Sequence, residues 1–414
     1  MDDAMRLISL RVQNFKSLED VTFTPGNLAA LIGPNNAGKS NFARAMQFLS
    51  DVYRHGLENA VMRHGGMENV IRQDKNTAND SLSFEIALSF RLNEMHEYLG
   101  HSPKQSNVEL TCRHHFSLNM EDEGFIVEAE SFYLEGNYDH NSHFKRTKHK
   151  IVEETFSESP TSNTFVFDGD EPKRRSDSER KPVPGQELVF NLLRLPPTKF
   201  CRHALKHWAI YQFNPFTARS ESVPTPNAEL DLYGRNLPAV VRWLQKHAPG
   251  QWALVEETMA EVVPELTQIE TQMLHTKTLG LFFWEEGFDR PWRADEVSDG
   301  TVLMLSMCCA IADPRKTLVL LEEPENSLHP WILRALIDFI KQVAHQKTVI
   351  LTTHSPVLID MLHPTQVWAL YREQGASHLA QLTRLDAELL DGWERGVYNL
   401  SDYLDSGLIL KVIP

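Results

Sequence analysis

The feature that most constrains this chain is an eight-residue run near its start, Gly33-Pro34-Asn35-Asn36-Ala37-Gly38-Lys39-Ser40, which reads G-x-x-x-x-G-K-S. It follows an apolar stretch, Asn27–Ile32, that reads as a buried strand, and it opens a helix-patterned segment, Lys39–Leu49. A glycine-rich turn in that setting lets backbone N–H groups curl around phosphate oxygens, and the helix N-terminus adds partial positive charge. Lys39 is then expected to set an ammonium on the β- and γ-phosphates, and the Ser40 hydroxyl to ligand Mg²⁺. A chance match in a glycine turn would not need both the strand and the helix.

A phosphate loop needs a sheet to launch it, and the pattern along the chain supplies one. Residues 6–12 and 19–24 alternate like strands, as do 82–92 and 108–118, and 126–134 and 147–156 continue a β-rich lobe. The stretch Ser157–Gly185 is dense in Ser, Asp, Glu, Lys and Pro and reads as a mobile insertion or linker. From Glu187 the pattern turns helical, with Leu188, Leu192 and Leu195 on one face and a further helix running to about Trp208. A short strand follows at 209–213, then helices at 237–247 and 251–262, and a strand at Leu279–Glu285. The last third alternates helix Ser298–Ala312, strand Leu318–Leu321, helix Pro330–Ala344 and strand Thr348–Thr352. That alternation implies a parallel sheet with ligands at its carboxyl edge. No internal repeat and no sustained heptad array is visible, which excludes long coiled-coil arms.

Three further segments carry chemistry. Leu318-Val319-Leu320-Leu321 runs into Glu322 and Glu323, so one carboxylate can order a metal's waters while the next polarises an attacking water. An ordinary Glu-Glu-Pro strand exit would look the same in isolation. Val297-Ser298-Asp299-Gly300-Thr301 opens an apolar helix. Ser298 is first a helix cap, but a cap does not explain Asp299-Gly300, and a helix N-terminus there can face a γ-phosphate. Thr352-Thr353-His354-Ser355-Pro356 places a histidine just beyond a buried strand, where it can hydrogen-bond a γ-phosphate or the attacking water.

Charge and cysteines narrow the partners. The 414 residues carry a formal charge of −15 with 42% hydrophobic content, enough for one large domain or a head plus a lobe. An acidic chain is a poor general binder of polyanions. Two local basic clusters, Lys145, Arg146, Lys148, Lys150 and Lys173, Arg174, Arg175, Arg180, Lys181, are interspersed with acids and read as solvated loops. The four cysteines lack metal spacing. Cys308 and Cys309 read as small core residues, a usage that fits a reducing compartment. No apolar run reaches a membrane span and no signal pattern opens the chain, so the expected location is cytoplasmic.

GPNNAGKS, VSDGT, LLEEPENSLHP and TTHSP, in that order, resemble the motif set of ABC-type ATPases, in the form found in the RecF, SMC and OLD branch rather than in transporters. NFKSLED, RHGGMENVI, YQFNPFTAR and YNLSDYLDSGLI extend the resemblance to stand-alone bacterial "predicted ATPase" proteins. It implies an α/β fold, an ABC/RecF-like P-loop ATPase head with a mixed β-sheet, an inserted β-rich lobe and a helical subdomain. The expected division is 1–60 and 291–414 for the head, 61–185 for the lobe with its linker 157–185, and 186–290 for the helical subdomain. The resemblance makes Gly33, Asn35, Asn36, Ala37, Gly38, Lys39, Ser40 and Asn41 the Walker A binding segment for ATP. Glu322 replaces the usual Walker B aspartate and, with Ser40, holds Mg²⁺, while Glu323 is the catalytic base. Ser298, Asp299 and Gly300 are the signature that caps a partner's ATP, Asn326–His329 the loop at the dimer seam, and His354 the switch histidine. Asp299-Gly300 departs from the Gly-Gly of transporters, and no glutamine is assigned to the Q-loop.

The expected function is an ATPase that dimerises on ATP, or assembles further, and regulates a separate effector in bacterial antiphage defence. Only sixty residues follow His354, which leaves little room for a fused TOPRIM nuclease, so a TOPRIM-like effector would be its own protein. The alternative is a RecF-like repair ATPase clamping duplex DNA. A scaffold that binds ATP without turning it over has no use for both Glu323 and His354.

Overall fold

A computed structural model describes residues 4–73, 81–92, 108–121, 124–136, 142–147, 150–156, 165–168, 171–174, 186–188, 190 and 196–406. In chain order its first strands are β1 Ala4–Phe15, β2 Leu18–Phe23, β3 Leu28–Ile32, β4 Leu82–Leu92, β5 Val108–Glu121, β6 Gly124–Gly136, β7 Ser142–Thr147 and β8 Lys150–Phe156. Then come β9 Phe165–Asp168, β10 Glu171–Arg174, β11 Trp208–Tyr211, β12 Leu266–Met273, β13 Leu279–Glu285 and β14 Trp292–Arg293. The last are β15 Leu318–Glu322, β16 Thr348–Thr352, β17 Val367–Glu373 and β18 Ala376–Gln381. The helix after the glycine run is α1, Lys39–His55.

The chain forms two compact units, each assembled from separated segments. Residues 1–26, 35–208 and 370–380 make the first. Its strands run in the order β18-β2-β1-β4-β5-β6-β7-β8, antiparallel from β2 through β8. Apart from Thr24, the described residues of the stretches that alternate apolar and polar in the sequence lie on this ladder. Within the expected linker 157–185, β9 and β10 pair as a hairpin, and the rest of that linker lies outside the described residues.

The first unit is built on an aromatic column under α1. Phe48 of α1 stacks on Phe84 of β4 at 5.6 Å, Phe84 on Phe116 of β5 at 5.4 Å, and Phe15 of β1 closes the group at 5.9 Å from both Phe48 and Phe84. All four rings are fully buried, and each contributes about 1.5–3 kcal/mol by leaving water. Farther along α1, Tyr53 Oη lies 2.7 Å from His114 Nδ1, and His114 Nε2 lies 3.2 Å from Glu130 Oε1. The same carboxylate oxygen accepts from the Phe190 N–H at 2.9 Å. A buried carboxylate is tolerated only with such partners, so this chain of contacts sets the register of α1 against β5 and β6.

Residues 27–34, 209–369 and 381–414 make the second unit. Its main sheet has the order β11-β15-β16-β3-β17, with β15, β16, β3 and β17 parallel. β3, β15 and β16 are buried on both faces, which is why they read as continuous apolar runs. The helix Asp299–Ala312 is buried along nearly its whole length and packs beside the amphipathic helix Pro330–Val343. Helices Leu237–His247 and Pro249–Val262 flank the antiparallel sheet β12-β13-β14. β12 has no counterpart among the strands expected from periodicity. Thr267, Gln268, Gln272 and the apolar Met273 are exposed, which leaves only Leu266 and Ile269 buried, too few to make an alternating pattern.

Candidate functional site

The glycine run begins where β3 ends. Gly33 and Pro34 belong to the second unit, and Asn35 onward to the first. Positive φ at Gly33, Asn36 and Gly38 curls the chain. At Gly38, with φ +114°, a Cβ would lie 2.5 Å from Ser377 Oγ and 2.9 Å from Ser377 Cβ, so only glycine fits. The back of the loop is held by hydroxyls, with Asn41 Nδ2 donating to Ser17 Oγ at 2.8 Å and Ser377 Oγ to Ser17 Oγ at 2.8 Å. Asn35, Asn36 and Ser40 are exposed, while Ala37, Gly38 and Lys39 are buried. No acidic side chain stands in the first turn of α1 and no side chain caps it. Its leading N–H groups therefore retain the partial charge that suits an anion.

In the second unit the parallel register brings three strand ends to one edge. Leu31 of β3 pairs with Thr352 of β16, which pairs with Glu322 of β15. Thr353 N donates to Leu31 O at 3.1 Å, so the turn carrying His354 is bonded to the strand that launches the glycine run. Glu323 takes a left-handed conformation, φ +47°, and its N–H donates to Thr352 O at 2.9 Å. A non-glycine residue there stores about 1–3 kcal/mol of strain, which the surrounding bonds must hold. Asn326 Nδ2 donates to Glu323 Oε2 at 3.0 Å, and His354 Nε2 stands 3.9 Å from Glu323 Oε1. Carboxylate and imidazole thus face each other at a half-open sheet edge.

Glu325, which the motifs leave without a role, organises this edge. Its Oε1 accepts from Thr353 Oγ1 at 2.9 Å and from His354 N at 2.7 Å, which pins the histidine turn. Its Oε2 is buried with no hydrogen-bond partner among the described residues. The one sequence signal that points to it is its place in the EEPEN run, between the acid pair and Asn326.

Ser298 caps the helix Asp299–Ala312, its Oγ accepting from Thr301 N at 3.1 Å and lying 2.8 Å from Thr301 Oγ1. The helix-cap role is therefore realised, and Ser298 and Asp299 are also exposed. A Cβ at Gly300 would lie 3.5 Å from Ser327 O and from Ile332 Cδ1, so the 298–300 segment sits directly against the 326–329 loop. Arg219 is a second residue without a role in the motifs: it bonds the 294–299 segment by three hydrogen bonds.

Other candidates fall elsewhere. All four cysteines are free and buried, and burial pushes the Cys308 and Cys309 thiols well up, so they behave as core residues. Lys145 and Arg146 lie on β7, Lys150 on β8, Lys173 and Arg174 on β10, while Lys148, Arg175, Arg180 and Lys181 lie outside the described residues. Among the described residues no cluster of three or more His, Cys, Asp or Glu could hold a metal alone. Mg²⁺ binding through oxygen ligands and phosphates needs no such cage, and the Ser40 hydroxyl and the Glu322 carboxylate are each oxygen donors. No helix among the described residues is long and apolar enough to cross a membrane.

A family model described as "AAA domain, putative AbiEii toxin, Type IV TA system" matches residues 28–93 and 102–360. Structural maintenance of chromosomes protein 1 of Saccharomyces cerevisiae is 23% identical over 147 residues, 31% of this chain and 12% of that protein. The chain thus spans only about an eighth of this curated relative. The SMC head bound to the C-terminal winged-helix domain of ScpA superposes with a TM-score of 0.51 at 14% identity, over 91% of this chain and 97% of that one. The SMC head with an extended coiled coil, bound to the C-terminal domain of ScpA derived from Pyrococcus furiosus, gives 0.50 at 13% identity, over 94% and 100%. The fold is that of an SMC/ABC-type ATPase head: α/β, with a mixed sheet.

Proposed function

The chain belongs to the AAA-domain family whose model covers most of it, and from that premise we propose that it binds and hydrolyses ATP, closes as a head dimer on ATP, and regulates a separate effector protein in bacterial antiphage defence. The observation that carries the reading is the single sheet edge at which Gly33, the Glu322–Glu323 pair and His354 emerge from β3, β15 and β16 in parallel register. Bound ATP·Mg²⁺ supplies an electrophilic γ-phosphoryl group and a metal that neutralises its charge. Lys39 and the N-terminus of α1 hold phosphate oxygens. Ser40 and Glu322 would hold the metal. Glu323, oriented by Asn326, accepts the proton of the attacking water, and His354 hydrogen-bonds that water or the γ-phosphate. Ser298 and Gly300, adjacent to the 326–329 loop, cap nucleotide held by a second copy.

Two findings support a role beside a second protein. The family description names a toxin–antitoxin system, which has two components. Both similar SMC heads carry a domain of a separate protein, ScpA. A TOPRIM-like nuclease remains the effector class we favour. The likeness to a chromosome-maintenance protein favours a second reading, a DNA clamp, against which the charge of −15 weighs.

Mass photometry of the Glu323→Gln variant with and without ATP·Mg²⁺, alone and with short duplex DNA, separates these readings. Doubling of mass with ATP and no response to DNA is the expected result. A shift that requires DNA would transfer the weight to the clamp, and a monomer under all conditions would sink the ATP-gated dimer.

A further inference from the structure

Arg219 closes the YQFNPFTAR block, a part of the sequence that the nucleotide motifs leave unused. Asn214 Oδ1 accepts from Phe216 N at 3.0 Å and Thr217 N at 3.3 Å, capping the short helix Pro215–Ala218 and fixing Arg219 at its other end. From there the guanidinium spreads over the segment that precedes the helix Asp299–Ala312. Nε donates to Ala294 O at 2.8 Å, Nη2 donates to Val297 O at 2.7 Å, and Nη1 donates to the Asp299 carboxylate. Three bonds from one planar guanidinium favour a single orientation, which a lysine could not reproduce.

The arrangement explains why an aspartate is tolerated beside Ser298. A carboxylate in the first turn suits the helix dipole, but it consumes the positive potential that a phosphate would use and repels the phosphate directly. Asp299 is 53% exposed, so its charge faces whatever approaches the helix N-terminus. Among the described residues its charged partner is Arg219, whose own side chain is mostly covered at 21% exposure.

We propose that Arg219 is the positioning residue that makes this Asp-Gly signature competent to receive a phosphate: it cancels the Asp299 charge and holds residues 294–299 so that Ser298 and the helix N-terminus face the nucleotide of a second copy. The proposal rests on the reading of residues 298–300 as a surface that acts in trans. Arg219 acts through Asp299 and the backbone and is not required to touch the nucleotide.

The test measures ATP·Mg²⁺-dependent dimerisation by mass photometry in the Glu323→Gln background, with binding of a fluorescent ATP analogue to the monomer as a separate readout. Arg219→Ala is expected to leave monomer binding within about twofold and to weaken dimerisation by about tenfold or more, the penalty of an uncompensated like charge at an interface. Adding Asp299→Asn to Arg219→Ala should recover most of that loss, because the repulsion goes with the carboxylate. A backbone staple alone would show no such recovery, and its absence overturns the proposal, as does unimpaired dimerisation of Arg219→Ala. Asp299→Asn by itself keeps the carbonyl bonds of Arg219 and should dimerise at equal or lower ATP concentration. A loss of about tenfold there would equally overturn the proposal, whether or not Arg219→Ala folds. With otherwise native sequence, Arg219→Ala chains mixed with Lys39→Ala chains should hydrolyse ATP faster than either does alone at the same concentration, since one phosphate loop and one signature remain intact across the pair. If the Glu323→Gln parent itself fails to dimerise, the ATP-gated dimer falls and takes this proposal with it. A dimerising parent with an indifferent Arg219→Ala removes only the role of Arg219.

Discussion

Gly38 shows how much one residue can carry. Its φ of +114° and the 2.5 Å that would separate an added Cβ from Ser377 Oγ leave no room for any side chain. Gly38→Ala is therefore expected to distort the loop and reduce ATP affinity by about tenfold or more, from strain of about 1–3 kcal/mol combined with the backbone shift. Isothermal titration with ATP·Mg²⁺ checks this, and native-like affinity would show that the loop does not cradle phosphate. Glu323 is strained for the opposite reason, a side chain held at φ +47° by Asn326 and the Thr352 carbonyl. Such strain persists where neighbouring bonds over-determine a geometry, and here they aim a carboxylate beside His354.

Among the elements, the helix Asp299–Ala312 is held at both ends. Ser298 caps its N-terminus. At the other end Lys347 Nζ donates to Ile311 O at 2.7 Å and Asp313 O at 2.6 Å, a cation set on the negative end of the helix dipole. Burial is the main cause that pushes the Lys347 ammonium down from 10.5 to about 8. Between about pH 8 and 10.5 the unfolded chain keeps this proton while the folded chain has lost it. Stability contributed at this position therefore rises with pH across that window. Thermal melts of the native chain and of Lys347→Met, compared from pH 7 to 10.5, should show the native chain gaining on the variant above about pH 8. A constant difference would mean that Lys347 titrates as it does in water. α1 is anchored differently, by the column Phe15, Phe48, Phe84 and Phe116 and by the Tyr53–His114–Glu130 chain. These contacts keep the helix that follows the phosphate loop fixed on its sheet.

For the molecule as a whole, the charge of −15 on each copy opposes association. Closing two such heads brings like charges together, and salt screens them over about 8–10 Å. ATP-dependent dimerisation of the Glu323→Gln variant should therefore strengthen when salt rises from about 50 to 200 mM, the opposite sign from nucleic-acid binding. Dimerisation that weakens steeply with salt would point to complementary charged patches, or to a copurified polyanion bridging the heads.

Chemistry carried by contiguous residues is legible before any fold is known. GPNNAGKS, the acid pair after an apolar strand and the histidine after another announce themselves because phosphate loops and strand-end carboxylates depend on neighbours along the chain. The parallel strands β3, β15 and β16 are visible for the same reason, since a strand buried on both faces is apolar throughout. Glu325 and Arg219 stand within conspicuous blocks yet carry no role there, because their partners lie 28 to 80 residues away in the sequence. So too with His114 and Glu130, whose burial gives no periodic signal distinct from that of exposed polar residues on a strand. β12 escapes because an edge strand that buries two residues has no pattern to show. Local backbone chemistry, then, was determined by the sequence alone. Which distant side chain restrains Asp299, His354 or Glu130 was decided only by tertiary structure, because a hydrogen bond depends on separation in space and leaves no trace in spacing along the chain.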